Sequence, residues 1–555
     1  YIARRRGLIA HEKQKRFDAE KRTKRTETER KADDYVKQLR KEEIEKVYNN
    51  PNDLGMMKGS SWALSKSRGV QNGSLYKLIS KMPKGAVLHC HMDGTIDVEW
   101  LIKRTYEQED LFIISDVPLT EHSTLYTANV RIRQLPKQAG TTEDEGNARA
   151  NKEADNIFSA GYQPNTWVRL SNARQAFPFP NVYSTPVPGY ESHLKDFAQS
   201  SDPSKPANWV AFDAYLFSKM TFAPVPTDIL PSIYNSRQAW DYFIKTFSFL
   251  NALQTKETRT EMYKRSFRHS IQDKISYVEA RVNFFDETLL DGEGKSTVTH
   301  ADMLNEFKSA LEAVQADLPQ GRSFDAKVIY STLRFIDAEQ LQWYIDDAIK
   351  LKQEFPNLLV GFDLVGYEDS GKALFDYLPQ LLGMRKRLAE LQIDLPFCFH
   401  AGETLGDGDA VDSNLYDALL LGSKRIGHGF SISRHPTLVE AVRQKGVCIE
   451  SCPISNQVLR YTDTQGVHPV LTLLAYGCPV ALSHDDPSQF LNLGLSPDFY
   501  SILIASDHFD LTSLGVLARN SLQHSLTPDP QQKQALIDDW DRQWTLYIDE
   551  IASNI

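Results

Sequence analysis

The stretch LHCHMDGT, Leu88–Thr95, decides how this chain is read. Apolar residues lead into it from Gly85, and two histidines stand one residue apart at its end. Side chains alternate across a strand, so His89 and His91 point to the same side. Two imidazoles on one side of a strand end are half of a metal site, or else two core histidines. The rest of the chain decides between them.

Seven further apolar stretches read as strands: SYVEARV (276–282), AKVIYST (326–332), LLVGFDLVG (358–366), PFCFHAG (396–402), RIGHGF (425–430), GVCIESC (446–452) and PVALSHDD (479–486). Helical patterns lie between most of them, for example AEQLQWYIDDAIKLKQEF and PTLVEAVRQKG. Strands alternating with helices imply parallel pairing, and eight such units imply a closed (β/α)8 barrel of the TIM type. One spacing breaks the rhythm. Almost two hundred residues separate the first two strands. Their later part, from about 209 to 268, is helical and aromatic. The part from about 108 to 206 is rich in Pro, Asn, Thr and charge and reads as an insertion, partly irregular, with QAGTTEDEGNARANKEADN as its most mobile stretch. The expected organisation is a helical arm over residues 1–75 and a barrel over 76–555 that carries the 108–206 insertion.

Charge supports this division. Residues 1–50 hold 16 Lys/Arg against 10 Asp/Glu, a surplus of +6, while the whole chain carries −10. The arm has the i,i+3 and i,i+4 charge pairs of exposed helices. The acidic body excludes a nucleic-acid surface there. No apolar run approaches the ~20 residues of a membrane span, and the basic N-terminus has no apolar core after it. The five cysteines, Cys90, Cys398, Cys448, Cys452 and Cys478, sit in or beside apolar strands. They read as buried free thiols, which favours a cytoplasmic location; a missing N-terminal signal would make the protein secreted.

In a β/α barrel the chemistry sits at the C-terminal ends of the strands. Polar residues collect there: His89, His91 and Asp93 after the first strand, His400 and Glu403 in HAGE, His428 in IGHG, Asp485 and Asp486 in SHDDP. Each has a plainer reading alone, as a solvent-facing strand end, a turn before proline or a core histidine. Four strand ends carrying such groups together argue for a site. Three histidines and one carboxylate suit Zn²⁺, one per chain, so His89, His91, His400 and Asp485 are the expected ligands. Zinc lowers the pKa of a bound water to about 7. Glu403, three residues past a ligand, is the expected proton shuttle. Flanked by glycines, His428 is expected to orient and deprotonate the attacking water. Asp486 is placed to bond a substrate ring nitrogen. His484 alternates away from Asp485 and is left outside the site.

MPKGAVLHCHMDG, YVEAR, GFDLVGYED, FHAGET, RIGHGF, CPISNQVL and SHDDP stand in the order typical of adenosine deaminases. The chain resembles their growth-factor-related branch over roughly residues 75–550. That resemblance implies zinc-dependent hydrolytic deamination of adenosine, and of 2′-deoxyadenosine, to inosine and ammonia. By the family's motifs Glu403 would protonate the purine at N1, Asp486 would pair with N7, the Gly366 backbone with N3, and Asp93 with a ribose hydroxyl. WVAFDAYL, which starts at Trp209, resembles the helix that closes over the nucleoside. The branch also implies a homodimer through the N-terminal helices. Two departures stand out. The insertion lacks cysteine, which argues against a growth-factor role, and Leu333 stands where the branch often has histidine. Leu333 keeps other aminopurines, such as AMP, adenine or a modified nucleoside, as alternatives, beside a signalling protein with vestigial catalysis.

Overall fold

The computed structural model describes residues 1–49, 62, 65, 69–135, 156–179, 204–222, 233, 235–290 and 296–554. All eight expected strands form: β1 (Gly85–His91), β2 (Ile275–Asn283), β3 (Asp325–Leu333), β4 (Leu359–Val365), β5 (His400–Ala401), β6 (Arg425–His428), β7 (Cys448–Ser451) and β8 (Val480–Leu482). They run parallel in two four-stranded sets, β1 to β4 and β5 to β8. Two bridges join the sets, Phe362 to Phe397 and Cys90 to Asp485, and close a (β/α)8 barrel. The second bridge brings the start of the site (His89, His91) against its end (Asp485). Every residue of β1 and of β4 is buried, because barrel side chains cover one face and helices the other. This is why these strands read as near-continuous apolar runs.

The helical stretches also form. Asp337 opens Ala338–Glu354 with a capping box to Gln340, and Gly446, in the left-handed region at φ 67°, closes Pro436–Lys445. Among the described residues no helix is long and apolar enough to cross a membrane. All five cysteines are free and buried.

The insertion is more ordered than its composition suggests. Val130–Gln134, Leu111–Ser115 and Val168–Arg169 form a three-stranded antiparallel sheet in that spatial order. Ile113, Leu125, Tyr162, Phe177 and Phe212 share a core separate from the barrel's, and Phe212 lies on helix Ala207–Met220. That core therefore extends past residue 206. Strict alternation in VRIRQ, buried then exposed, marks its edge strand. Residues 138–155 of the stretch expected to be most mobile lie outside the described residues.

The arm folds as helices Ile2–Lys15, Ala19–Thr23 and Glu27–Glu43. The first buries no residue. Glu27–Glu43 starts on a Thr26–Glu29 capping box and buries Ala32 and Val36. It packs on the closing helices Leu511–Gln523 and Pro530–Ser553. Arg22, on Ala19–Thr23, fastens that shorter helix: its guanidinium lies 2.8 Å from Asp18 and 2.9 Å from Asp510, both buried. Burial opposes ionisation of Asp18, but bonds from Arg16 and Arg22 outweigh it and hold the carboxyl below 3.8. This contribution to docking is present above that value and lost as pH falls through the lower folded one. Arg22→Ala removes the nearer of two cations from Asp510, leaving Lys37 at 3.5 Å, and is expected to cost about 1–3 kcal/mol. Amide exchange should then speed up in Ala19–Thr23 and not in β1.

Candidate active site

The left-handed residues at the strand ends show how the backbone aims the site. His428 and Gly429 sit at φ 58° and 54°, and Asp485 at 59°. Such conformations are costly for residues with a Cβ and gather where geometry must be exact to the ångström. The glycine of IGHG before the histidine has its own cause: a Cβ on Gly427 would lie 3.0 Å from His89 Cε1 and 3.2 Å from His400 Cα.

His89, His91, His400 and Asp485 converge, one ligand atom each, within 4.8 Å of one another. All four are buried. Asp485 Oδ1 stands 3.2 Å from His89 Nε2 and 3.4 Å from His91 Nε2. Neither His89 Nε2 nor Asp485 Oδ1 has a hydrogen-bond partner. Carboxylates hold the outer ring nitrogens: His89 Nδ1 bonds Glu450 Oε2 at 2.8 Å, and His400 Nδ1 bonds Asp363 Oδ2 at 2.6 Å. Both rings thus turn Nε2 inward, as metal-ligating histidines do.

The electrostatics fit a divalent cation. Burial pushes His91 down to about 4 and His400 well below its ordinary value, so both are neutral donors. Burial opposes the charge of Asp485, but the facing histidines outweigh it and keep the carboxylate ionised. Burial and Arg281 push His89 down, yet the facing carboxylates of Asp485 and Glu450 prevail and raise it. His89 thus asks for positive charge at the point where the orphaned atoms face each other. Three imidazoles and one carboxylate are a donor set zinc accepts.

Beside this cluster, Glu403 is 1% exposed and its Oε1 has no partner. Burial, Asp485 and Glu368 push its carboxyl well above the usual carboxylate range. Its backbone N–H donates to Glu368 at 2.7 Å, and Arg334 in turn pairs with Glu368 at 3.1 Å. His428 stands between the two centres, with Nδ1 3.4 Å from Glu403 Oε1 and Nε2 3.7 Å from Asp485 Oδ2.

Asp486 is pushed well up by burial and Asp485, and its Oδ1 is unpartnered. It fills the space a Cβ on Gly94 would need. Asp93 accepts from Asn283 Nδ2 at 2.9 Å, and burial pushes it up to about 6. Its Oδ1 is also free. Gly366 takes φ 103° with the Phe335 ring 2.6 Å from where its Cβ would be. The ring of Trp209 packs against Tyr106, with Lys205 over it. His484 stays outside, facing a small cavity lined by Cys90, Met92, Ser266 and His269.

Four important residues escaped the reading of the chain. Arg281 is fully buried; its Nε donates to Asp363 Oδ2 at 2.7 Å and its Nη2 to Glu450 Oε2 at 2.8 Å. One guanidinium therefore holds both carboxylates that orient His89 and His400. Arg425 extends the chain by joining Glu450 to Glu279. Asn456 and His468 form a separate line behind His428. The available signal was charge inside apolar strands, in YVEARV, GFDLVG and CIESC.

A closed parallel barrel with buried histidines and carboxylates at the C-terminal mouth defines a barrel hydrolase. The sequence profile of the adenosine deaminase family matches residues 224–543. The chain is 28% identical to adenosine deaminase 2 of Sus scrofa over 489 residues, which cover 87% of this chain and 82% of that one. It is 29% identical to adenosine deaminase 2-A of Danio rerio over 516 residues (90% and 87% covered), and 28% identical to an adenosine deaminase of Aedes albopictus over 538 residues (96% and 86%). Among solved structures the fold matches arabidopsis ADAL complexed with IMP, with TM-score 0.52 at 15% identity over 84% of this chain and 99% of that one. Arabidopsis N6-mAMP deaminase MAPDA matches with TM-score 0.51 at 15% identity, over 84% and 99%. The chain belongs to the adenosine deaminase family, a family of hydrolases.

Proposed function

We propose that this chain deaminates adenosine hydrolytically to inosine and ammonia, with one zinc held by His89, His91, His400 and Asp485. The observation that carries this reading is a buried carboxyl with an unpartnered oxygen, Glu403, which burial pushes well up, beside a cluster of inward-facing metal donors. Zinc bound there would supply a Lewis acid and an acidified water.

The other steps belong to side chains. Glu403, as the acid, donates to the purine ring nitrogen beside the reacting carbon and makes that carbon electrophilic. His428 orients the attacking oxygen from the far side of Asp485. The raised carboxyl of Asp486 donates to a ring nitrogen acceptor, while the Gly366 backbone meets the opposite edge. Asp93 presents one free buried oxygen, which accepts from a ribose hydroxyl and repels a phosphate. That charge logic favours a nucleoside over a nucleotide. Kinetics decide it: kcat/KM for adenosine should exceed that for AMP by at least about 10²-fold. A preference for AMP would overturn the assignment of substrate. Asp93→Asn should lower kcat/KM for adenosine by about 10- to 100-fold and shrink the gap to AMP, since a hydrogen bond to a charged group is worth about 1.5–3 kcal/mol.

The same proposal includes a homodimer through the N-terminal helices. Helix Ile2–Lys15 leaves Ile2, Leu8 and Ile9 exposed at 65%, 70% and 38%. Light scattering of the full chain, and of a chain lacking residues 1–15, tests it.

A further inference from the structure

Behind His428 runs a line of hydrogen bonds whose direction is fixed at its far end. It begins at a backbone N–H, which can only donate. His468 precedes Pro469 and caps helix Pro469–Ala475. Proline has no N–H, so Val470 carries the first free donor of that helix, and it donates to His468 Nδ1 at 3.1 Å. His468 is 3% exposed and burial pushes it down to about 3, so the ring is neutral. A neutral imidazole that accepts at Nδ1 carries its proton on Nε2. That nitrogen lies 3.1 Å from Asn456 Oδ1, which accepts it. The orientation of the Asn456 amide is then settled. Its Nδ2 faces His428 Nδ1 at 3.1 Å, and an amide nitrogen can only donate. So His428 Nδ1 is an acceptor, and the proton of this ring sits on Nε2, the atom 3.7 Å from Asp485 Oδ2.

Packing holds the line in place. Asn456 is fully buried, and its carbonyl accepts from the backbone N–H groups of Tyr461 and Thr462. The His468 ring stands edge-on to Phe430 at 5.3 Å, and Phe430 is two residues past His428. One aromatic side chain therefore ties the two histidine loops together.

We propose that Asn456 and His468 are positioning residues that fix His428 in its Nε2–H tautomer. His428 then meets the attacking oxygen as a hydrogen-bond donor, in place of the proton acceptor expected from sequence. This rests on the reading of His428 as a group of the deaminase site. No proton moves along the line during the reaction; the relay sets which lone pair and which N–H the ring presents.

The test is nitrogen NMR of protein labelled on its histidine rings, with His428 assigned from the spectrum of His428→Gln. The expected wild-type pattern is a protonated Nε2 and an unprotonated Nδ1 at neutral pH. Asn456→Asp replaces the donor with an isosteric acceptor. It should move the proton to Nδ1 and lower kcat by about 10- to 100-fold, with KM for adenosine within about twofold. His468→Gln, whose amide can still donate to Asn456 Oδ1, should keep the wild-type tautomer and most of kcat. A wild-type ring protonated on Nδ1 would overturn the proposal, and so would an unchanged tautomer in folded Asn456→Asp. Should Asn456→Asp fail to fold, the wild-type spectrum and His468→Gln still decide. The spectrum does not depend on turnover, so an inactive enzyme with the expected tautomer would refute the proposed reaction and leave the relay standing.

Discussion

Glu403→Gln is expected to lower kcat by at least about 10²-fold, the usual scale for losing a general acid or base. Glutamine keeps the shape and can still donate a hydrogen bond, but it cannot transfer a proton. The substitution isolates that step, because little else depends on the carboxyl. Its Oε1 has no partner, and Glu368 holds the backbone rather than the side chain. Stability should not fall. Burial, Asp485 and Glu368 raise the folded pKa of Glu403 above its unfolded value. The folded state therefore binds the proton more tightly, and this group's contribution declines as pH rises from the ordinary carboxylate range toward the raised value. Glutamine has no such decline, so the variant should melt at or above the wild-type temperature at neutral and alkaline pH. Near-normal turnover by folded, metal-loaded Glu403→Gln would remove Glu403 from the mechanism.

Arg281→Met is expected to be the most damaging change outside the proposed ligand set. It leaves buried Asp363 without its arginine and Glu450 with Arg425 as its remaining arginine, both carboxylates having no exposed side-chain surface. Removing one partner of a buried ion pair costs about 3–5 kcal/mol. A second effect separates positioning from mere stability. Asp363 and Glu450 each accept from one histidine of the cluster and from Arg281 at the same oxygen. Without the guanidinium both rings lose their fixed orientation, and zinc affinity should fall about 10- to 100-fold, as for other groups that orient metal ligands. Arg281→Lys keeps the charge but not the planar fork, so it should recover stability more than zinc affinity. Chelator competition and thermal melting, run on both variants, measure the two effects. Unchanged zinc affinity in folded Arg281→Met would confine the arginine to a structural role.

The barrel was legible because its strands are buried on both faces and its polar residues crowd one end of them. His89 and His91 announce a shared side through their spacing alone, and Asp485 announces itself by following an apolar strand. What supports them was not legible. Arg281 meets Glu450 across 169 residues and Asp363 across 82, and no local pattern encodes such pairings. Asn456 and His468 are ordinary polar residues until the fold lines them up behind His428. The insertion misled in the other direction. Its loop-like composition conceals short strands of two to five residues, of which Leu111–Ser115 is buried throughout and Val130–Gln134 alternates. Trp209 shows the same limit: the resemblance of WVAFDAYL placed it on a helix, which forms, but only packing decides which way its ring turns.

The most direct test of the whole reading is one assay on one sample. Adenosine conversion is followed by ultraviolet absorbance while the metal content of the same protein is determined, before chelation, after it and after zinc is restored. Inosine formed with about one zinc per chain, lost on chelation and regained with zinc, is the expected result. Steady turnover in fully metal-stripped protein, or zinc-loaded folded protein that leaves adenosine unchanged, would contradict it.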